Sequence, residues 1–501
     1  MLFNSYSFLL FFTILFFVYY CSPAKLRTFV LLSACLLFYL FLKWEYIFIL
    51  FVVILINYIS SLYIQKFNDT RKKKSVFIIN LVLNLGILFF FKYLIFFTHN
   101  LNSIFSYSGI NIALPEYYIS LPIGLSYFTF IALGYSIDVY RGTSKIEKNI
   151  GIFSLFISFF PTILADPIER STNLLPQLNR KVDFDYKNIT DGMKLFAWGL
   201  FKKIVIADRF ALLVNKVYDN PYQFRGFALI IATIFFAIQI YTDFSGYSDM
   251  AIGISRILGF NIIKNFNRPY FSKSISEFWR RWHISLSEWL RDYLFLPVAY
   301  SLLRKAKNGK LLFLKAESSS YYLATIVTMF SIGLWHGANW NFIIWGVLFA
   351  FYLIISRITK KFRQKIIKKL NLLKNPKLLK IFRILITFTL VCFAWIFFRS
   401  KEIIDSFYII ATIFYDLTKF IYIDYIIKSV GKIDMGIFYY MLCSILFITL
   451  GTIELLQAKY NITEKISNLN VFIRWNIYIV FLIIILFLGV SNNSDFLYLK
   501  F

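Results

Sequence analysis

Residues 5–20 read SYSFLLFFTILFFVYY, an apolar run without a single charged residue. Similar runs recur along all 501 residues, of which 59% are hydrophobic and only 16% charged. About 20 consecutive apolar residues suffice for an α-helix to cross the hydrocarbon core of a bilayer. The first run has no basic residue before it and no small-residue cleavage site after it, so we expect a first membrane helix rather than a removed signal peptide. The sequence therefore predicts an all-α, polytopic transmembrane helical bundle.

The apolar runs give a set of candidate membrane segments, several of them short or interrupted. About eleven are expected to be full crossings, and the others re-entrant or interfacial helices. The candidates are residues 5–20, 28–43, 46–64, 76–97, 119–139, 152–165, 191–213, 226–244, 320–335, 340–356, 382–398, 404–420, 436–455 and 472–490.

Basic residues gather in short loops between these runs, which predicts the orientation of the chain. SPAKLR (22–27), QKFNDTRKKKS (65–75) and RGTSKIEK (141–148) are basic, whereas residues 98–118 contain no Lys or Arg. Residues 357–383 carry eleven Lys and Arg and no acid. The positive-inside rule then places the N-terminus outside and these loops in the cytoplasm. The formal net charge of +28 could suggest a nucleic-acid-binding protein, but the gathering of the basic residues in short loops argues against that function.

The four cysteines, Cys21, Cys35, Cys392 and Cys443, lie in or beside apolar runs and form no CxxC pair. This pattern argues against a disulfide framework and against a zinc site, so no metal is expected.

His336 lies in the apolar stretch FSIGLWHGANWNFIIWG (330–346), at the expected turn between two membrane segments. A lone histidine on an apolar segment is usually a hydrogen-bonded core residue. Three features favour a catalytic role: a glycine-containing turn from Gly333 to Gly337, a wall of Trp335, Trp340 and Trp345, and the ability of imidazole to take a proton from a hydroxyl near neutral pH. Both interpretations stay open, and the basic loops place this histidine away from the cytoplasmic face.

A second polar group within the apolar runs is QIYTDFSGYSDMAIG (239–253), with Asp243, Ser245 and Asp249. Acidic residues inside a membrane by default face a bundle interior or an aqueous cavity. One interpretation is a helix kinked at Gly246, with its acids paired to nearby arginines. The other interpretations are a role in shaping a site and a direct role in proton transfer.

The third group is NFNRPYFSKSISEFWRRWHISLSEWLRDYLFLP (265–297), where Ser274 and Glu277 have the spacing of a capping box. Aromatic and apolar residues recur every three or four residues, which predicts one amphipathic helix at the cytoplasmic interface. These residues are Phe278, Trp282, Leu286, Trp289 and Tyr293. In that interpretation His283 is an interfacial polar residue. Alternatively, Arg280 and Arg281 bind the phosphates of a donor such as coenzyme A.

Together these motifs resemble the membrane-bound O-acyltransferase (MBOAT) family, and most closely its bacterial branch of alginate and peptidoglycan O-acetylation proteins. The matching stretches occur in family order over residues 118–400, whereas 1–117 and 401–501 match in hydropathy only. We therefore expect N-terminal helices (1–117), a catalytic core (118–400) and C-terminal helices (401–501). The stretches are LPIGLSYFTFIALGYSIDVYRG, FFPTILADPIER, YTDFSGYSDMAIG, NFNRPY, EFWRRWHISLSEWLRDY, GLWHGANW and CFAWIFFR.

The resemblance implies a helical bundle around a central funnel, with two histidines lining opposite parts of a channel through the membrane. The family's invariant histidine falls on His336 and its second polar position on His283. Residues expected to line the funnel or bind substrate are Asp243, Ser245, Asp249, Arg280, Arg281, Trp335 and Asn339. The sequence departs from relatives at Thr162 and Asp166, and at Val298 and Ala299, which affects the funnel mouth or a partner surface rather than the histidines.

The function implied is transfer of an acyl group, expected to be acetyl, to a hydroxyl of an extracytoplasmic polysaccharide such as peptidoglycan or an exopolysaccharide. The donor would be acetyl-CoA or another acyl thioester, with no bound cofactor. A separate periplasmic SGNH-type transferase is the expected partner, and membrane lipid surrounds the chain in the bacterial inner membrane. The alternative is a multi-pass transporter or flippase of glycan precursors, which intramembrane acids also fit; symmetric interrupted segments in two halves are not found in the sequence.

Overall fold

The computed structural model describes residues 1–165, 167–307, 309–311, 314–490 and 496–497, and the protein is an all-α polytopic bundle. The first helices are α1 (Tyr6–Cys21), α2 (Ala24–Leu40), α3 (Tyr46–Lys66), α4 (Thr70–Leu88) and α5 (Leu94–Tyr107). A π-helix, π1 (Phe89–Tyr93), joins α4 to α5.

The described residues of the central part of the chain form fourteen further α-helices, two π-helices and a two-stranded antiparallel ribbon. The α-helices are α6 (Leu125–Arg141), α7 (Ile150–Ser158), α8 (Phe160–Ile163), α9 (Ser171–Leu178), α10 (Tyr186–Leu200), α11 (Asp208–Tyr218), α12 (Phe227–Ile257), α13 (Ile275–Trp279), α14 (Ile284–Leu290), α15 (Leu296–Arg304), α16 (Ala316–His336), α17 (Trp340–Ile358), α18 (Lys360–Lys369) and α19 (Pro376–Arg399). The π-helices are π2 (Phe201–Ala207) and π3 (Arg291–Phe295), and the strands are β1 (Lys310–Leu311) and β2 (Leu314–Lys315).

The remaining helices are α20 (Ile403–Tyr415), α21 (Ile423–Gly431), α22 (Ile437–Gln457), α23 (Ile462–Ser467) and α24 (Val471–Leu488). Single 3₁₀ turns occur at Pro221–Gln223, Pro269–Phe271, Leu372–Lys374 and Leu417–Ile421.

Within the described residues, seven helical segments are long and apolar enough to cross a membrane, fewer than the eleven or so expected. They are Tyr46–Lys66, Thr70–Tyr107, Phe227–Ile257, Trp340–Ile358, Pro376–Arg399, Ile437–Gln457 and Val471–Leu488. The difference arises in part because some apolar runs form short helices, as in residues 152–165, which contain α7 and α8. Residues 191–213 instead lie in a continuous helical stretch of α10, π2 and α11, which carries charged residues, among them Lys194, Lys202, Lys203, Asp208 and Arg209.

Buried amides join three of the first helices. Asn57 of α3 donates to the Asn84 Oδ1 of α4 (2.9 Å), and its own Oδ1 accepts from Asn80 Nδ2 (3.1 Å) and from the Ser136 hydroxyl of α6 (2.7 Å). All four side chains are fully buried. In a membrane the hydrophobic effect does not drive helices to associate, so hydrogen bonds between their polar side chains help to hold them together. This cluster therefore fixes how α3, α4 and α6 pack.

Helix α12 is the longest uninterrupted α-helix of the described residues and continues without a break through Gly246, where the kink stays a prediction. The glycine allows close packing against α10. A Cβ built at Gly199 of α10 would lie 2.5 Å from the Gly246 carbonyl oxygen.

Helices α16 and α17 form a tight hairpin that carries His336. A Cβ at Gly333 would lie 2.3 Å from the Phe342 carbonyl oxygen, and a Cβ at Gly346 would lie 2.3 Å from that of Met329. Gly333 lies inside α16, which ends at His336, so the chain turns only over residues 337–339. The predicted turn is therefore later than Gly333, and this glycine serves the close approach of the two helices.

We expect Gly333→Ala to lower the thermal stability of the protein in detergent by about 1–3 kcal/mol, because the added methyl group meets backbone that cannot move aside. The matched control is Gly86→Ala in α4, where a Cβ meets no atom within 4 Å. Thermal unfolding of both variants checks this, and equal midpoints would contradict the tight hairpin.

Candidate active site

His336 ends α16 and lies in an aromatic enclosure with only 2% of its surface exposed. The ring centroids of Trp335, Trp345 and Phe398 lie 5.0, 5.1 and 5.1 Å from that of the imidazole. The predicted wall is confirmed for the two tryptophans. It is wrong for Trp340, which is 51% exposed and donates its indole N–H to Asn100 Oδ1. Phe398 of α19 completes the wall instead, a contact that local sequence does not reveal.

His283 is fully buried and stands close to His336, with ring centroids 6.5 Å apart. Its ring also packs 4.9 Å from Phe244 of α12 and 5.7 Å from Trp335. The two histidines therefore share one buried site, and their placement on opposite parts of a channel stays a prediction. The interpretation of His283 as an interfacial residue is wrong.

The backbone of His283 explains how it reaches this position. The residue adopts the left-handed conformation (φ 47°, ψ 54°) between α13 and α14, so the single amphipathic helix predicted from Ser274 onward is interrupted. The cause is long-range pairing: Asn267 N donates to the Arg281 carbonyl and Ile284 N to the Asn265 carbonyl, each at 2.9 Å. Left-handed backbone at a non-glycine residue persists only where surrounding contacts impose it, and such residues cluster at functional sites.

The stripe of large side chains along this region is buried in the protein rather than spread on a membrane surface. Phe278, Trp282, Leu286 and Trp289 are at most 7% exposed. Only the start of the predicted helix is confirmed, because the Ser274 hydroxyl accepts from Glu277 N as an N-cap does.

The two arginines before His283 have different surroundings. Arg281 Nη2 bonds Glu277 Oε1 at 2.7 Å, so this guanidinium holds the local chain together. Burial acts to raise the pKa of the Glu277 carboxyl, but hydrogen bonding from Lys273 N and the charge of Arg281 outweigh it and leave that pKa below its usual value. Arg280 is exposed, and its side chain makes no hydrogen bond within the described residues. Phosphate binding by these arginines stays a prediction.

The acidic group on α12 pairs with lysines, not with the arginines that were expected. Lys203 Nζ lies 2.8 Å from Asp243 Oδ1, and Lys202 Nζ lies 2.8 Å from Asp249 Oδ2 and 2.9 Å from the Ser245 hydroxyl. Both lysines belong to π2. The sequence signal was the pair of lysines in the apolar stretch GLFKKIVIA, which was overlooked. This ionic cluster braces α12 against π2, and Phe244, the residue after Asp243, packs against the His283 ring.

Trp335 and Asn339 flank His336 in different ways. Trp335 packs against both histidine rings and 5.3 Å from the Tyr127 ring. Asn339 caps α17, since its Oδ1 accepts from Asn341 N at 2.9 Å.

Of the positions that depart from the family pattern, Asp166 lies outside the described residues. Thr162 is buried and donates its hydroxyl hydrogen to the Phe159 carbonyl, while Val298 and Ala299 are half-buried in α15.

Lys92 is a further residue that sequence reasoning missed. Its Nζ donates to the carbonyl of Trp335 (2.5 Å) and to the Ser126 hydroxyl (3.3 Å), so it touches the peptide that precedes His336. The signal was a single lysine within the apolar run 76–97.

Fold and site together define a multi-pass α-helical membrane protein with a buried histidine pair in an aromatic chamber. The profile of the MBOAT, membrane-bound O-acyltransferase family, matches residues 149–400, about half of the chain. The chain belongs to this family, and it is an O-acyltransferase.

Named relatives agree with that assignment. A probable alginate O-acetylase of Azotobacter vinelandii is 36% identical over 405 residues, which cover 80% of this chain and 76% of the relative. The peptidoglycan O-acetyltransferase of Helicobacter pylori is 32% identical over 403 residues, covering 74% and 71%. The teichoic acid D-alanyltransferase of Bacillus subtilis is 30% identical over 292 residues, covering 56% and 69%.

We expect Lys203→Met to destabilise the protein by about 3 kcal/mol or more, because it leaves the carboxylates of Asp243 and Asp208 without the ammonium that lies 2.8 and 2.9 Å from them. The control is Lys216→Met, whose 3.7 Å pair with Asp434 is largely exposed and contributes little. Thermal unfolding and the yield of monodisperse protein report the difference. Equal behaviour of the two variants would show that the buried cluster does not hold α12.

Proposed function

We propose that this protein transfers an acetyl group from a cytoplasmic thioester, such as acetyl-CoA, to a hydroxyl of an extracytoplasmic cell-envelope polysaccharide. Peptidoglycan and an alginate-like exopolysaccharide are the acceptor classes, since the relatives named above include a probable alginate O-acetylase and a peptidoglycan O-acetyltransferase. His336 acts as the general base. The bacterial inner membrane is the proposed location.

One observation carries the proposal: two imidazoles meet, with ring centroids 6.5 Å apart, in a chamber walled by tryptophan and phenylalanine. Burying an imidazole costs free energy unless it is hydrogen-bonded, so two imidazoles brought to one buried point favour a functional role. Imidazole is the side chain best matched to proton transfer near neutral pH, and a dry enclosure strengthens electrostatic stabilisation and keeps water from hydrolysing a thioester.

In the proposed reaction His336 takes the proton of an acceptor hydroxyl as its oxygen attacks the thioester carbonyl carbon. Negative charge develops on the carbonyl oxygen, and His283 stabilises it by donating a hydrogen bond. The C–S bond then breaks, and the thiolate leaves with the proton that His336 took up. The acceptor hydroxyl belongs either to the polysaccharide or to a relay group that carries the acetyl group onward. No nucleophile elbow occurs in the sequence, so no covalent enzyme intermediate is proposed.

The position of His336 along its helices supports access from the side opposite the basic loops. Helix α17 begins at Trp340, just after His336, and its 19 residues end at Ile358, next to the basic helix α18. At about 1.5 Å per residue this separates the histidine from the basic end by roughly 28 Å, close to the thickness of the hydrocarbon core. With the basic loops in the cytoplasm, an acceptor reaches His336 from outside and the donor from within the protein.

The chain is proposed to work with a separate periplasmic SGNH-type transferase, which passes the acetyl group to the polymer. The transporter alternative is not favoured, because the family assignment makes the protein an O-acyltransferase.

We expect His336→Ala and His336→Gln to lower the rate of acetyl transfer from radiolabelled acetyl-CoA by about 10² to 10⁴-fold in the purified, reconstituted protein. The matched control is His99→Gln, because the His99 side chain in α5 is 70% exposed and pairs with Glu116 at 3.3 Å. Full activity in both His336 variants would refute the general-base assignment. Movement of a glycan substrate without acetyl transfer, unchanged in these variants, would support the transporter instead.

We expect His283→Asn to reduce kcat by about 10²-fold, because the amide, although itself a donor, is shorter than imidazole and does not place its N–H where the far ring nitrogen of His283 meets the developing oxyanion. Asparagine tolerates left-handed backbone, so this substitution preserves the φ of 47° while it removes the imidazole. Steady-state kinetics with acetyl-CoA measures the effect, alongside thermal unfolding. Wild-type kcat in a well-folded His283→Asn protein would remove His283 from the mechanism.

A further inference from the structure

Lys92 is a cation buried within a membrane-spanning segment, only 8% exposed, in the continuous helical stretch Thr70–Tyr107. Ionisable side chains at such depth are expensive and by default mark a functional position. The residue precedes the part of the chain matched by the family profile, which begins at residue 149.

The contacts of Lys92 concentrate on the end of the helix that carries His336. Its Nζ donates to the Trp335 carbonyl at 2.5 Å and lies 5.7 Å from the centre of the Trp335 ring. The next residue, Tyr93, donates its hydroxyl hydrogen to the Leu334 carbonyl at 3.0 Å. Two consecutive side chains thus bond two consecutive carbonyl groups of α16.

Helix geometry explains why this end needs outside partners. The last four carbonyl groups of an α-helix have no intrahelical donor, and the negative end of the helix dipole favours a cation. In the membrane interior water is not there to satisfy them. Both donors belong to the π-helix π1. A π-turn contains one residue more than an α-turn, so the angle between neighbouring side chains around the helix axis is smaller. Lys92 and Tyr93 can therefore both reach α16.

We propose that Lys92 is a positioning residue for His336. The ammonium fixes the Trp335 carbonyl, and with it the final peptide of α16, so the imidazole keeps its orientation toward the reacting hydroxyl. The N-terminal helices thereby form part of the active site. This inference rests on the proposed role of His336 as the base.

The test compares kcat and KM for acetyl-CoA in Lys92→Met, Lys92→Arg and the control Lys66→Met, which changes an exposed lysine on the neighbouring helix α3. Lys92→Met is expected to lower kcat about a hundredfold at unchanged KM, because a displacement of about 1 Å at a catalytic group has that effect. Lys66→Met is expected to behave as wild type. All rates are expressed per monodisperse molecule.

A normal kcat in Lys92→Met, or a change in KM alone, overturns the proposal, as does a lower yield of protein with normal turnover, since Lys92 would then serve folding only. If Lys92→Met gives no folded protein, Lys92→Arg decides, because it retains the cation but shifts the donors. A reduced kcat at unchanged KM supports positioning, and a wild-type kcat refutes it.

A double variant separates this proposal from the one on which it rests. If Lys92 acts through His336, adding Lys92→Met to His336→Ala slows the residual reaction no further, whereas an independent role gives the full additional loss and overturns the inference. Wild-type activity in His336→Ala overturns the general base and the positioning role with it. An inactive His336→Ala with a normal Lys92→Met overturns the positioning role alone.

Discussion

The bilayer interior offers no water, so each polar group there needs a partner from the protein itself. This constraint governs three polar clusters among the described residues. The amide of Asn57 bridges α3, α4 and α6, and the ammonium of Lys203 lies between Asp243 and Asp208. Lys92 meets the carbonyl end of α16. In each cluster the partners belong to different helices. The hydrogen bonds and ion pairs that pair these polar groups therefore also fix how the helices are arranged.

The histidine chamber depends on this arrangement, because its walls come from distant parts of the chain. Trp345 belongs to α17 and Phe398 to α19, while Phe244 reaches His283 from α12. Helix α12 in turn is held by its ion pairs with π2. Residues with no part in the proposed chemistry therefore decide where the two rings meet.

The sequence predicts well what depends on local pattern. Hydropathy indicates an all-α membrane bundle, and the apolar runs around GLWHGANW place His336 at a hairpin end. Long-range contacts are beyond such patterns. The stripe after Ser274 has the period of one helix, yet loop residues Asn265 and Asn267 pair with its backbone and interrupt it. Likewise, the acids on α12 show that a partner is needed, but only folding brings lysines of π2 to them.

A regular helix bonds its own backbone and leaves little for chemistry, so reactive geometry arises where regularity stops. His336 is the last residue of α16, and His283 stands in left-handed backbone at the junction of two short helices. Lys92 projects from a π-turn within a long apolar segment. Each interruption frees a backbone group that a continuous helix would bond within its own turn, or redirects a side chain that a continuous helix would keep against lipid. The π-turn of Lys202 and Lys203 is an interruption of the same kind, but it holds an ion cluster. Three interruptions meet at the histidine pair, which makes this region the part of the bundle organised for a reaction.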